Sequence, residues 1–176
     1  VRMLLAKDAD PNAKTAISIA PLHLAATQSN VNILRLLLQK RADLNAKGHA
    51  GTTALHSASL QGSEDVVRLL LENQADPNVK KSLSETPLEG AIEQGHEEVV
   101  RMLLEQNADP NAEGDHGVRP LHMAALGGNE QIARMLLEKK ADPKVKDDRS
   151  STPLQQAAEE GHQQLVHLLR SFGAPG

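Results

Sequence analysis

The hydrophobic residues of the chain lie in short clusters that return at a fixed interval. Within residues 63–73 they fall at helical spacing and form a wide apolar stripe, which predicts an amphipathic helix from about Ser63. The members of this stripe are Val66, Val67, Leu69, Leu70 and Leu71. Clusters of the same form begin at Ile33, Val99 and Ile132, so the step between clusters is 33 residues. The pattern predicts one helical unit repeated along the chain.

A shorter helix is predicted before each apolar stripe. Thr53, Thr86 and Thr152 stand where a hydroxyl would accept a hydrogen bond from the free amides of a helix start. Pro87 and Pro153 follow at the first helical position, where the missing N–H costs nothing. Each unit is therefore predicted to contain two helices.

The unit from residue 46 shows how the two helices are joined. Leu55, Ala58 and Ser59 give its first helix a small packing face, and Gly62 ends that helix. A polar turn at 75–78 leads to the next unit. Two helices of this size cannot bury both faces alone, so each unit must stack on its neighbours.

The start of each first helix carries the same short phrase. The phrases are APLHLA from Ala20, TALHSA from Thr53, TPLEGA from Thr86, RPLHMA from Arg119 and TPLQQA from Thr152. They resemble the ankyrin-repeat family, whose signature is T-P-L-H-x-A on a 33-residue period. The resemblance covers essentially the whole chain as a single array. Its units are a partial one at 1–12, full ones at 13–45, 46–78, 79–111 and 112–144, and a capping-like one at 145–176.

The resemblance implies an all-α fold, an ankyrin-repeat solenoid of stacked helix-turn-helix units with short β-hairpin fingers. Fingers and first helices would line a concave face, and second helices would form the convex back. Gln155 and Gln156 replace the family's His-Leu pair, which suits the polar outer face of a terminal unit. The opening at Val1, inside a unit, suggests a fragment.

Several positions depart from the family pattern, which has glycine before the Ala-Asp pair that follows each second helix. Those places hold Asp8, Arg41, Gln74, Asn107 and Lys140, and only Gly173 conforms. The family conformation there is left-handed, which costs about 1 kcal/mol for a side chain other than glycine. The third unit also places Gly90 inside a helix, a loss of up to about 1 kcal/mol.

Composition and charge restrict the partners. The chain has no cysteine, and no apolar run approaches the roughly 20 residues of a membrane span. The net charge of −4 argues against nucleic acid, whose phosphates require a basic face. Arginines such as Arg68 and Arg101 recur on the second helices, but glutamates four residues before and after neutralise them. We expect a cytoplasmic or nuclear protein that neither binds nucleic acid nor inserts in a membrane.

The histidines and carboxylates do not form a recognisable chemical site. His23, His56 and His122 recur in register, but neighbouring helices pack 8–10 Å apart while a zinc–imidazole bond is about 2.0–2.1 Å long. The resemblance assigns them a structural hydrogen bond between finger and helix. The acidic finger at 113–116 has a histidine beside its carboxylates but no pocket to shift their pKa values. We predict no metal, no cofactor and no catalytic residue.

Ankyrin folds vary at the fingers and at the exposed end of each first helix. By register, the candidate partner-binding residues are His49, Thr52, Leu60, Gln61, Leu83, Glu85, Glu93, Gln94, Asp115, His116, Val118 and Leu126. Several are aliphatic at positions that should face water, which fits a binding patch. The sequence thus predicts a monomeric, non-catalytic module that binds another protein, of unknown identity, on its concave face.

Two alternatives stay open at this point. The array could be a regulatory or scaffolding segment of a larger multidomain protein, such as an enzyme, a channel or an immune-type receptor, and pack against its own chain. It could also be an engineered repeat scaffold, although the units differ at many framework positions.

Overall fold

Short and long helices alternate along the chain. The structure, a computed structural model, describes residues 9–174 apart from the side chain of Leu83. The first helices, of seven residues each, are α1 (Pro21–Thr27), α3 (Ala54–Leu60), α5 (Pro87–Glu93), α7 (Pro120–Leu126) and α9 (Pro153–Glu159). The second helices, of nine residues each, are α2 (Val31–Gln39), α4 (Glu64–Glu72), α6 (Glu97–Glu105), α8 (Glu130–Glu138) and α10 (Gln163–Ser171).

The first helices begin where the sequence predicts. Thr53, Thr86 and Thr152 each accept a hydrogen bond from the backbone N–H three residues later. Pro87 and Pro153 occupy the first turn of α5 and α9. Both predictions are confirmed. A hydroxyl acceptor satisfies one free N–H at the helix start, and a proline has no N–H to satisfy.

A left-handed residue follows each second helix. The φ angles are 61° at Arg41, 68° at Gln74, 63° at Asn107, 69° at Lys140 and 89° at Gly173. The predicted helix ends are therefore confirmed at these positions, and Asp8 lies outside the described residues. Where the residue is not glycine, the backbone conformation costs roughly 1 kcal/mol, which packing between units must offset.

Leucine fills the interior between the units. Leu22, Leu55, Leu88 and Leu121, one from each of four first helices, are fully buried, and so is the row Leu37, Leu70, Leu103, Leu136 and Leu169 from the second helices. Each first helix packs against the first helix of the next unit and against its own second helix, so a single core runs along the array. Burying each leucine contributes about 1.5–3 kcal/mol.

The fingers are tighter than the expected β-hairpins, and no strand occurs in the described part of the chain. One backbone hydrogen bond closes each finger, for example from the Gly48 N–H to the Thr52 oxygen at 2.8 Å and from the Gly114 N–H to the Val118 oxygen at 2.8 Å. Five residues with a left-handed residue near the tip, such as His116 at φ 55°, leave no length for a longer strand ladder.

A ladder of asparagine side chains joins the polar turns of successive units. The side-chain oxygens of Asn12, Asn45, Asn78 and Asn111 accept hydrogen bonds of 2.8–3.0 Å from the backbone N–H groups of Asp43, Asp76, Asp109 and Asp142. Two of these asparagines also donate to the carbonyl of a left-handed residue in the next unit, Asn78 to Asn107 and Asn111 to Lys140, at 3.0 Å. The ladder thus satisfies backbone groups that the helix ends leave free.

Candidate functional site

The predicted binding residues lie on one surface, here called the finger face. It consists of the fingers at 48–52, 81–85 and 114–118 and of the C-terminal ends of α3, α5 and α7. The exposed members are His49, Leu60, Gln61, Glu93, Gln94, Asp115, His116 and Leu126. Leu60 is 41% exposed and Leu126 57%, although both are aliphatic. The surface therefore combines apolar and polar side chains that face solvent.

Three further predicted residues are half-buried, and one of them already has a partner. Thr52 and Val118 lie at the base of their fingers, where their carbonyls close the loop. The carboxylate of Glu85 forms an ion pair with Lys81 at 2.8 Å. Glu85 is thus less available to a partner than the sequence suggests. The side chain of Leu83 lies outside the described residues.

The histidines of α1, α3 and α7 link their helix to the next finger. In His56, Nδ1 accepts from the Thr53 N–H at 3.2 Å, and Nε2 donates to the Glu85 carbonyl at 3.2 Å. His122 likewise joins the N–H of Arg119 to a carbonyl of the following finger. The predicted structural role is confirmed. Because Nδ1 accepts and Nε2 donates, the neutral ring with its proton on Nε2 fits this place.

Burial favours the uncharged form of the His56 and His122 rings. Removal from solvent lowers the pKa of His56 and His122 below the ordinary value of 6.5, even though hydrogen bonds to backbone carbonyls favour the charged form. A proton on Nδ1 would also face the N–H group that now donates to it. The rings are therefore structural connectors and have no free basic nitrogen for catalysis.

In the third unit a carboxyl group, that of Glu89, takes the place of the imidazole. Its Oε2 accepts from the Thr86 N–H at 2.6 Å and from the Thr86 hydroxyl at 3.1 Å, and the residue is only 3% exposed. Burial raises the pKa of Glu89 above its ordinary value of 4.5, and the hydrogen bonds from Thr86 oppose that shift. Sequence reasoning saw the substitution but missed that it places an acid in the interior.

Sequence reasoning also missed an exposed leucine on the finger-face side of the first unit. Leu24 is half exposed on α1, one turn before the end of that helix. Its register equivalents are Ser57, Gly90, Met123 and Gln156. Ser57, Met123 and Gln156 are half-buried and Gly90 is buried, so the register alone does not predict the exposure of Leu24.

The opposite face, formed by the second helices, carries the arginine row. Arg101 pairs with Glu98 and Glu105, and Arg134 pairs with Glu130 at 3.0 Å. The pairs with Glu105 and Glu130 confirm the predicted spacing, whereas Arg101 pairs with Glu98 and not with residue 97, and Arg68 forms no ion pair with residue 64 or 72 among the described residues. These exposed pairs contribute little to stability, because solvent screens them.

The surface depressions of the described chain do not coincide with the predicted site. One of about 470 Å³ lies between α8 and α10 and is lined by Glu130, Arg134, Gln164, His167, Leu168 and Ser171. Within residues 9–174, no group of three or more histidine, cysteine, aspartate or glutamate side chains is arranged to hold a metal ion. None of the described helices is both long and apolar enough to cross a bilayer.

The family model of ankyrin repeats (three copies) matches residues 1–81 and 88–174. The chain belongs to the ankyrin-repeat family. No curated protein matches its sequence. Ankyrin repeats are generally protein–protein interaction modules and are typically non-catalytic. The family therefore indicates a protein-binding function of this general class.

Proposed function

We propose that this ankyrin array binds another protein through the finger face, without catalysing a reaction. The observation that carries the proposal is the exposure of Leu60 and Leu126 at the ends of α3 and α7. Apolar residues surrounded by a polar rim are typical of the centre of an interface. His49, Gln61, Gln94, Asp115 and His116 supply that rim. In this proposal Thr52, Glu85 and Val118 shape the fingers, and Leu83 completes the second one.

The arginine row is the less favourable surface. Arg101 and Arg134 already have carboxylate partners within their own helices. A partner would have to desolvate these paired charges for little gain. A partner that binds at the leucines of the finger face has no paired charges to desolvate there.

The experiment compares two double variants against a partner purified after affinity isolation from native extract. Leu60→Lys with Leu126→Lys should weaken binding at least tenfold, about 1.4 kcal/mol. Arg68→Ala with Arg101→Ala should leave the affinity within about twofold, since exposed charges contribute little. Both proteins should keep the helical circular dichroism of the parent. Loss of binding in the arginine variant alone would assign the partner to the opposite face.

The unit boundaries belong to the same proposal. Units at 13–45, 46–78, 79–111 and 112–144 are supported by the 33-residue spacing of the asparagine ladder and of the left-handed helix ends. Should the array belong to a larger protein, the same face would pack against its own chain. The leucine variant would then alter domain association and not partner binding.

A further inference from the structure

We propose that the segment bound on the finger face carries two aliphatic side chains with a lysine or arginine midway between them. This inference rests on the proposed function and specifies the chemistry of the partner. It follows from the order in which apolar and acidic residues alternate along the first helices.

From α3 onward, the last residue of the first helix alternates in character from unit to unit, whereas α1 ends in the exposed Thr27. α3 ends in Leu60, α5 in Glu93, α7 in Leu126 and α9 in Glu159, and all four side chains are exposed. Because these residues hold the same register in successive units, they form a row across the stack. A partner lying along the row meets an aliphatic, an acidic, an aliphatic and again an acidic side chain.

The spacing of the row defines the distance between the anchors. Packed helices lie 8–10 Å apart, so Leu60 and Leu126, two units apart, are separated by about 16–20 Å. Glu93 lies about halfway. The bound segment must therefore present its two aliphatic groups at that separation, with its cation near the middle.

The surface beside Glu93 is formed by Leu60 and by the Glu85 carboxylate. One turn earlier on α5 is Gly90, which is buried beneath them: a β-carbon at residue 90 would be 3.7 Å from the Glu85 Oε1 and 3.8 Å from the Leu60 Cα. The equivalent position in the next unit holds Met123. Lysine and arginine have long apolar stems with a charged end. In the proposed complex such a stem lies over the exposed Leu60 side chain while its charge reaches the carboxylate of Glu93.

The pairing of charges favours a cation from outside. Glu93 forms no ion pair with any residue that the structure describes. Lys81, which begins the second finger, pairs with Glu85, and Arg119, which follows the third, pairs with Glu113 at 2.7 Å, so both of these cations are already engaged. An acidic segment would meet repulsion at this point, and a fully apolar one would leave the carboxylate desolvated without a partner.

The test is a random-peptide display selection on the immobilised full chain, followed by affinity measurements on synthesised binders. Wild-type protein should enrich peptides with lysine or arginine between two aliphatic residues. Glu93→Lys should weaken these peptides at least tenfold. The matched control is Glu159→Lys, the same charge change in the same register but outside the pair of leucines, and it should alter their affinity less than twofold. Peptides resynthesised with glutamate at the central position should bind Glu93→Lys more tightly than wild type.

The outcomes separate this inference from the proposed function. Binders that need Leu60 and Leu126 but are indifferent to Glu93→Lys overturn the inference and leave the proposed function standing. Binders with a central aspartate or glutamate, or self-association of the chain through the same residues, also overturn the inference. If every selected binder is unaffected by Leu60→Lys with Leu126→Lys, both the inference and the finger-face function are wrong.

Discussion

The imidazole ring of His96 fills the space in which a β-carbon on Gly62 would lie. A β-carbon there would come within 2.6 Å of the ring atoms Cε1 and Nδ1, and the ring Nε2 donates to the Leu60 carbonyl at 3.2 Å. Gly128 and His162 repeat this arrangement two units later. Glycine is therefore required for two reasons, the left-handed φ of 68° at Gly62 and the close contact with the ring.

Gly62→Ala should lower the urea midpoint of unfolding more than Gly95→Ala does. Gly95 has a similar φ of 70°, but a β-carbon there would meet only the Asn129 Nδ2, at 3.9 Å. Both variants carry the left-handed cost of roughly 1–2 kcal/mol. Only Gly62→Ala must also displace the His96 ring and its hydrogen bond. Equal losses in the two variants would contradict the contact.

A variant without the His96 ring isolates the contribution of the ring to the effect of Gly62→Ala. In a His96→Ala protein, the effect of Gly62→Ala should fall to that of Gly95→Ala, because the clashing atoms are gone. The difference between the two backgrounds is the coupling energy of the Gly62–His96 pair.

The hydroxyl of Ser59 is fully buried and has no hydrogen-bond partner among the residues described. Ala26 and Ala125, also fully buried, hold the same register in other units. Ser59→Ala should raise the free energy of unfolding by about 1–3 kcal/mol, the cost of an unsatisfied buried polar group. Ser57→Ala, at a half-buried position of the same helix, serves as control and should change it by less than about 0.5 kcal/mol. A lower midpoint for Ser59→Ala would indicate a partner for the hydroxyl.

Much of the fold could be predicted because its determinants are local. The caps at Thr53, Thr86 and Thr152 and the left-handed ends such as Lys140 each involve residues within one or two turns. The contact of Gly62 with His96 could not be predicted in this way. It joins residues 34 positions apart, and it depends on the direction in which a ring points across two units. The asparagine ladder was missed for the same reason.

The candidate site, like the fold, could be predicted only in part from the sequence. Register alone predicted that Leu60, Glu93 and Leu126 would face solvent, because each ends a first helix. Register could not show that Glu85 pairs with Lys81, since the pairing depends on how the finger folds back on itself. Exposure at the ends of the first helices is thus predictable from the repeat, whereas exposure in the fingers and the partner of each side chain are not.

Glu89 and the buried histidines contribute to stability in opposite senses as pH changes. Burial raises the pKa of Glu89, so its neutral form is favoured: that contribution is present below 4.5 and is lost as pH rises through the raised pKa. Burial lowers the pKa of His56 and His122: their contribution is present above 6.5 and is lost as pH falls through the lowered pKa values.

Glu89→Gln should therefore stabilise the protein at pH 7 to 8, and its advantage over wild type should shrink as the pH falls through the raised pKa of Glu89. The amide fits this place, because Gln155 in the same register accepts from the Thr152 N–H at 2.9 Å. Urea midpoints measured from pH 4 to 8 give the difference. Glu89→His is the comparison variant. Its urea midpoint should exceed that of wild type most clearly above pH 6.5, and this difference should disappear on acidification. A Glu89→Gln advantage that stays constant with pH would show that the carboxyl does not change its charge in the fold.

Lys140 tests the helix ends, because it holds a left-handed backbone at φ 69° with a side chain that does not favour it. Lys140→Gly should leave the urea midpoint unchanged or raise it, since relief of roughly 1 kcal/mol offsets the greater freedom that glycine gives the unfolded chain. The control is Lys139→Gly at the preceding residue, where φ is −88° and no strain is relieved. That variant should lower stability by about 0.5–1 kcal/mol. The carbonyl of residue 140 still accepts from Asn111 in either variant, so the ladder is not altered. A clear loss for Lys140→Gly, equal to that of Lys139→Gly, would mean that this helix end carries no backbone strain.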